Sequence, residues 1–276
     1  MEFLTHLFCD RNLAAKTILV YRNALADPLQ TAFGIDTSAK QFSRLSRGFF
    51  LDRPPTKRIL PTWSLEEVLE LLESPRFTSD EATPLDRLVG ALFLVALAAG
   101  NRVSELAAFN REGIIFSQEG MVLPVQEGFL YKNQRAATKP PDVCIPRLWR
   151  GQLPHPLCPV SSVQRFIDGS ASTEGALFVN SKTGNRLKPA SISHLICKLI
   201  REVHPHILPK AHDVRKVASS IAWTRGVPLD VITARTFWHS PDVFIKRYLI
   251  PRTQDPGPCV AIGTTAGNSS ASNQFQ

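Results

Sequence analysis

A chain of 276 residues with 43% hydrophobic and 20% charged content can bury a sizeable core and has the make-up of an ordinary soluble globular protein, one large domain with a smaller one. Its longest apolar run, residues 88–99, is too short to cross a bilayer, and no leader with a basic start and a long apolar run opens the chain, so neither a membrane partner nor a signal peptide is expected. The net charge of +8 favours an acidic partner such as nucleic acid.

The five cysteines, Cys9, Cys144, Cys158, Cys197 and Cys259, are dispersed without a C-x-x-C pair. That pattern argues against a disulfide framework and against zinc, and suits a reducing compartment. His204, His206 and His212 are close in sequence, but Pro205 and Pro209 break any regular ligand spacing, so no metal is expected. No Gly-rich nucleotide loop is present, and no cofactor is expected.

Residues 1–58 read as a small helical module. Phe3, Leu4, Leu7 and Phe8 form one apolar stripe; Ile18, Tyr21 and Leu25 form a second, with Asp27-Pro28 as a breaker behind it. A third helix over residues 39–51 carries Lys40, Arg44 and Arg47 beside Phe42, Leu45, Phe49 and Phe50, with Arg53 just beyond. These basic residues form either a solvated face or one that contacts phosphates. The run Pro54-Pro55-Thr56-Lys57-Arg58 is a stiff, basic linker.

A second domain, residues 59–250, opens with Ser64 as N-cap and Glu66 and Glu67 in the first turn. A long helix over residues 85–99 ends at Gly100, a C-cap, and Arg102 starts the next helix. Glu105, three residues on, either fixes the Arg102 fork from behind or forms a plain helix ion pair. Short β-prone pieces follow at residues 113–116, 120–124 and 143–146. Helices are expected over 159–167 and 189–203, with an extended piece at 176–179. Lys182, Arg186 and Lys188 flank a turn at Gly184-Asn185 and are candidates for contacting a nucleic-acid backbone. Residues 251–276, rich in Pro, Gly, Ser, Thr and Asn, are expected to be disordered.

The stretch 211–248 carries the chemistry. His212 and Arg215 fall on one face of a helix whose opposite side, Ala211, Val214, Ala218, Ile221 and Ala222, is apolar. Gly226 stops that helix and Pro228 starts the next, roughly residues 229–236, which delivers Trp238 and His239; Tyr248 follows nine residues later. Two imidazoles, a guanidinium and a phenol suit a phosphodiester better than a core. Arg offers a planar fork to two oxygens, His exchanges a proton near neutral pH, and a Tyr oxygen attacks phosphorus.

In this order, and with Arg102 inside Ala99-Gly100-Asn101-Arg102-Val103-Ser104-Glu105-Leu106, the residues resemble the tyrosine recombinase (phage integrase) superfamily. The wording, including residues 13–26 and Phe129-Leu130-Tyr131-Lys132-Asn133-Gln134, is similar to recombinases of DIRS-type retrotransposons. The resemblance implies a mainly α fold with a small antiparallel β-sheet, a tyrosine-recombinase-like catalytic domain preceded by a short helical core-binding domain. It implies that double-stranded DNA is cleaved and rejoined through a 3′-phosphotyrosine on Tyr248, with self-assembly into a dimer or tetramer on DNA and nuclear action in a eukaryote. Arg102 and Arg215 would stabilise the phosphate, with Glu105 and Trp238 in support. His212 would act on the Tyr proton or bond the phosphate, and His239 would hold it. Lys132 is the expected general acid, with Lys139 as its rival; Lys40, Arg44, Arg47, Arg53, Lys57 and Arg58 would grip the duplex. The resemblance leaves open a catalytically silent DNA-binding protein and a tyrosine-type topoisomerase. Lys216 stands where many members have His. The small module looks shorter than the usual four-helix version, and the tail after Tyr248 offers no helix to pass to a neighbour.

Overall fold

The computed structural model describes residues 1–55, 63–132, 142–170, 175–180, 182–235 and 245. The chain divides into two compact units, Met1–Ile59 and Leu60–Gln276.

In the first unit, apolar residues at helical spacing give α1 (Glu2–Cys9), α2 (Ala15–Ala24), α3 (Ala26–Phe33) and α4 (Lys40–Asp52). Leu4, Leu7, Phe8, Ala15, Ile18 and Phe49 make the core, with the Phe8 and Phe49 rings stacked 4.3 Å apart. Four helices stand where the sequence pattern gives three. The break falls at Leu25, just ahead of Asp27-Pro28, and α3 restarts at once with Pro28 as its third residue. A missing N–H costs nothing in a first turn, where it has no intrahelical acceptor. Helix α3 ends at Gly34, whose φ of +65° is a left-handed cap.

The second unit starts with α5 (Leu65–Glu73), capped by Ser64 Oγ accepting the Glu67 N–H at 3.3 Å. Helices α6 (Pro75–Thr78), α7 (Pro84–Ala99) and α8 (Val103–Ala107) follow. Strands β1 (Ile115–Phe116), β2 (Gly120–Leu123) and β3 (Val143–Pro146) form one antiparallel sheet in the order β1-β2-β3, with Met121 opposite Ile145 and Leu123 opposite Val143. Alternation holds along β3: Val143 and Ile145 face the core, Cys144 and Pro146 do not. Gly120 lies opposite Pro146, and any side chain there would run into the Ile145 carbonyl. A short hairpin, β4 (Trp149–Arg150) and β5 (Leu153–Pro154), leads to α9 (Pro159–Asp168), α10 (Pro189–Val203), α11 (Ala211–Thr224) and α12 (Leu229–Arg235). Helix α7 is the axis of this unit. Ala91, Leu92, Phe93 and Val95 are fully buried, and it packs against α9, α10, α11 and β3. No described helix is long and apolar enough to cross a membrane.

Three cations have partners within the fold that the sequence pattern does not reveal. The Arg53 guanidinium stacks 3.5 Å over the Phe8 ring and donates to the Phe8 carbonyl and to Asn12 Oδ1, so it staples α4 to α1. Arg186, exposed at the surface, donates to the Ala107 carbonyl at 2.6 Å and to Asn110 Oδ1 at 3.0 Å, which ties down the loop after α8. Arg215 is the third. The expected buried side of α11 includes Ala218, Ile221 and Ala222, yet these are only partly buried, while Asp213, Arg215, Ser219 and Ser220 are inside. The helix is rotated because its polar groups find partners in the interior.

Candidate active site

The cap between α7 and α8 organises the site. Gly100 takes a left-handed φ of +62° and turns the chain, so that Arg102 becomes the extended N-cap residue of α8. Glu105, in the first turn of α8, is 1% exposed. Its Oε2 accepts the Arg102 N–H at 2.8 Å and the Asn101 Nδ2 at 3.0 Å, and its Oε1 meets Arg102 Nη1 at 2.6 Å. Helix α11 supplies the other wall. Arg215, also 1% exposed, donates from Nη1 to the Gly100 carbonyl at 2.8 Å and lies 3.5 Å from Glu105 Oε2. Two guanidiniums from helices over a hundred residues apart thus share one buried carboxylate. A buried charge needs such pairing plus hydrogen bonds to be tolerated. The carboxylate fixes both forks, and the Arg102 side chain, 16% exposed, is the more outward of the two.

His212 lies one turn before Arg215 and is half-buried. Burial, then the charges of Arg215, Lys216, Arg102 and Lys132, push its pKa down to about 4 from 6.5. The imidazole is therefore neutral at pH 7, able to accept a proton or donate a hydrogen bond. Lys132, exposed in a turn, contributes to that field. The linkage sign is definite. Below about pH 6.5 the unfolded imidazole takes up a proton that the folded one refuses down to about pH 4, so stability present above pH 6.5 is lost across that window. Urea denaturation of the full chain is expected to lose about 1–3 kcal/mol there through this residue, and His212→Gln is expected to remove that part of the pH dependence. An unchanged pH profile in the variant would show that His212 is not the residue held neutral.

The sequence candidates are thus distributed unevenly. Arg102, Glu105 and Arg215 are in contact, His212 lies within electrostatic reach of both arginines, and Lys132 within electrostatic reach of His212. Lys40, Arg44 and Arg47 are exposed on α4 of the other unit, and Arg53 is a staple. Trp238, His239, Tyr248, Lys139, Lys57 and Arg58 lie outside the described residues. Sequence reasoning did not anticipate the roles of the Gly100 carbonyl, Asn101 or the buried Tyr131; no local pattern marks them, since their partners are distant in sequence or set by the cap. Among the described residues no group of three or more His, Cys, Asp or Glu side chains could hold a metal ion.

The chain, mostly helical with a small antiparallel sheet, has the fold of tyrosine recombinases. The integrase of transposon Tn1549 in complex with transposon right-end DNA is similar over 96% of this chain and 84% of that one, at 15% identity and a TM-score of 0.64. A lambda integrase tetramer bound to a Holliday junction matches 90% of this chain at 11% identity and a TM-score of 0.56, and this chain spans 63% of that one. XerA recombinase matches 95% of this chain and 90% of its own at 14% identity and a TM-score of 0.51. Such identities speak for a shared fold. No protein-family model and no curated protein matches the sequence.

Proposed function

We propose that this protein is a tyrosine-type DNA strand transferase, a site-specific recombinase or integrase from a mobile element. The observation that carries the reading is the convergence of Arg102 and Arg215 on Glu105, with a neutral His212 alongside. Preorganised guanidiniums in a water-poor site stabilise the charge that builds on non-bridging phosphate oxygens, and need no reorganisation as the reaction proceeds. In this reading Tyr248 Oη attacks phosphorus and the bond to the 5′-oxygen breaks. Lys132 gives that leaving oxygen a proton, and a 3′-phosphotyrosine remains. His212 takes the phenolic proton or bonds the phosphate, and His239 holds it. Attack by the 5′-hydroxyl of a partner strand reverses the step, so no external energy source is needed. An arriving phosphate also raises the His212 pKa, coupling DNA binding to proton uptake.

The wording of residues 13–26 and 129–134 supports a DIRS-type retrotransposon origin. Assembly into a dimer or tetramer on DNA is in keeping with the similar lambda integrase tetramer. The direct test is a suicide duplex carrying the element's own ends. The expected result is a covalent protein–DNA adduct whose modified peptide contains Tyr248. A protein that binds these ends and forms no adduct on any of them is a silent DNA-binding protein instead.

The small unit is proposed to grip the duplex through the exposed Lys40, Arg44 and Arg47 of α4. Neutralising Arg44 and Arg47 together is expected to weaken binding to all duplexes and to lower the slope of log K against log salt by about one to two. Measuring affinity from about 50 to 200 mM salt checks this. An unchanged slope would assign both arginines to a solvated face.

A further inference from the structure

The segment that leaves β2 is held by a single deep side chain. Among the described residues from Pro124 to Lys132, Tyr131 alone is buried, at 4% exposure, while its neighbours Leu130 (53%) and Lys132 are exposed. The Phe129 ring meets the Tyr131 ring edge-on, with centroids 5.4 Å apart and planes at 81°. The backbone beside it is tied down as well. Gln126 N–H donates to the Ala108 carbonyl at 2.8 Å, joining the segment to the end of α8, and Phe129 N–H donates to the Gln126 carbonyl at 3.2 Å. The buried phenol is within electrostatic reach of Glu105, the carboxylate that both arginines share. Burial, then Glu105 and Asp142, hold it firmly protonated. A buried, protonated phenol beside a carboxylate does not attack phosphorus. It can anchor the backbone that carries the next residue.

We infer that Tyr131 is a positioning residue: its buried ring fixes the segment after β2 against the Arg102–Glu105 end of α8 and so holds Lys132 where it can protonate the leaving 5′-oxygen. The inference rests on the proposed strand-transfer chemistry, in which Lys132 is the general acid. A one-ångström looseness in such a group is enough to cost a large factor in rate. Removing the ring, with the fold intact, should therefore look like removing the lysine.

The test uses the full chain and two suicide duplexes, one with the ordinary 5′-bridging oxygen at the cleaved phosphate and one with sulfur in its place. A thiolate leaves without being protonated, so the sulfur substrate needs no general acid. Tyr131→Ala and Lys132→Met are each expected to slow cleavage of the oxygen substrate by about 10²- to 10⁴-fold, the usual worth of general acid catalysis. Both are expected to cleave the sulfur substrate within about tenfold of the parent protein, whereas Arg215→Ala stays slow on both because its role is charge stabilisation. Tyr131→Phe, which keeps the ring, is expected to restore most of the rate on oxygen. Equal slowing of Tyr131→Ala on both substrates, or no slowing, overturns the inference while leaving the strand-transfer reading intact; so does sulfur rescue of Lys139→Met in place of Lys132→Met.

If the parent protein forms no adduct with either duplex, the strand-transfer reading fails, and with it the assignment of Lys132 as an acid held by Tyr131. Hydrogen exchange decides the anchoring separately. In Tyr131→Ala the amides of Gln126 and Phe129 are expected to exchange at least about tenfold faster while those of α7 and α11 keep their rates. Unchanged exchange at Gln126 and Phe129 overturns the anchor whatever the chemistry shows.

Discussion

Tyr248→Phe protein is expected to bind duplex DNA about as well as the parent and to form no covalent adduct with a suicide substrate. The substitution removes one oxygen and keeps the ring, so packing and the electrostatic part of binding survive while the nucleophile is gone. The two other tyrosines are poor substitutes. Tyr131 is buried and held protonated beside Glu105 and Asp142, and Tyr21 lies on α2 of the small unit, away in sequence from every residue of the Arg102–His212–Arg215 group. Arg215→Ala is expected to suppress capture by roughly two to four orders of magnitude, the range seen when a preorganised charge stabiliser is lost. Gel-resolved capture against time measures both. Residual adduct in Tyr248→Phe would move the nucleophile elsewhere.

The second large effect falls on stability. Glu105→Ala removes the acceptor that Asn101, the Arg102 N–H and the Arg102 guanidinium share, and takes the carboxylate 3.5 Å from the buried Arg215. Stranding a buried charge in this way costs about 3–5 kcal/mol, a large part of the roughly 5–15 kcal/mol that holds a domain folded. Urea denaturation should show the transition of the larger unit moving down, with that of the small unit in place. Glu105→Gln keeps the shape and one acceptor oxygen, so it is expected to cost less than Glu105→Ala and more than a surface change. A cost below about 1 kcal/mol for Glu105→Ala, the level of an exposed ion pair, would mean that the arginines do not depend on this carboxylate.

Much of the fold was legible in local signals. Ser64 and Gly100 punctuate helices as side-chain chemistry and backbone freedom dictate. The period-2 pattern of β3 and the amphipathic pattern of α10 were readable because burial of apolar surface imposes those periods. The break before Asp27-Pro28 was legible, but not the extra helix α3 behind it, since proline forbids a helix interior but not a first turn.

The candidate site was legible as residue types and not as an arrangement. Spacing and chemistry singled out His212 and Arg215, the resemblance to a family singled out Arg102, and Glu105 had two readings. The sequence could not say that Arg215 would turn into the core, because periodicity reports which side chains avoid water and not which polar groups will find a partner. The partner of Arg215 is a carbonyl 115 residues away, that of Arg186 lies 79 residues away, and Arg53 reaches back 45 residues to Phe8. A guanidinium is indifferent between solvent, a phosphate and an internal acceptor until the tertiary fold supplies the last of these. The sequence determined which groups were available; the packing of α7, α8 and α11 held Arg102 and Arg215 around Glu105, and the folding of each unit gave Arg53 and Arg186 their internal acceptors.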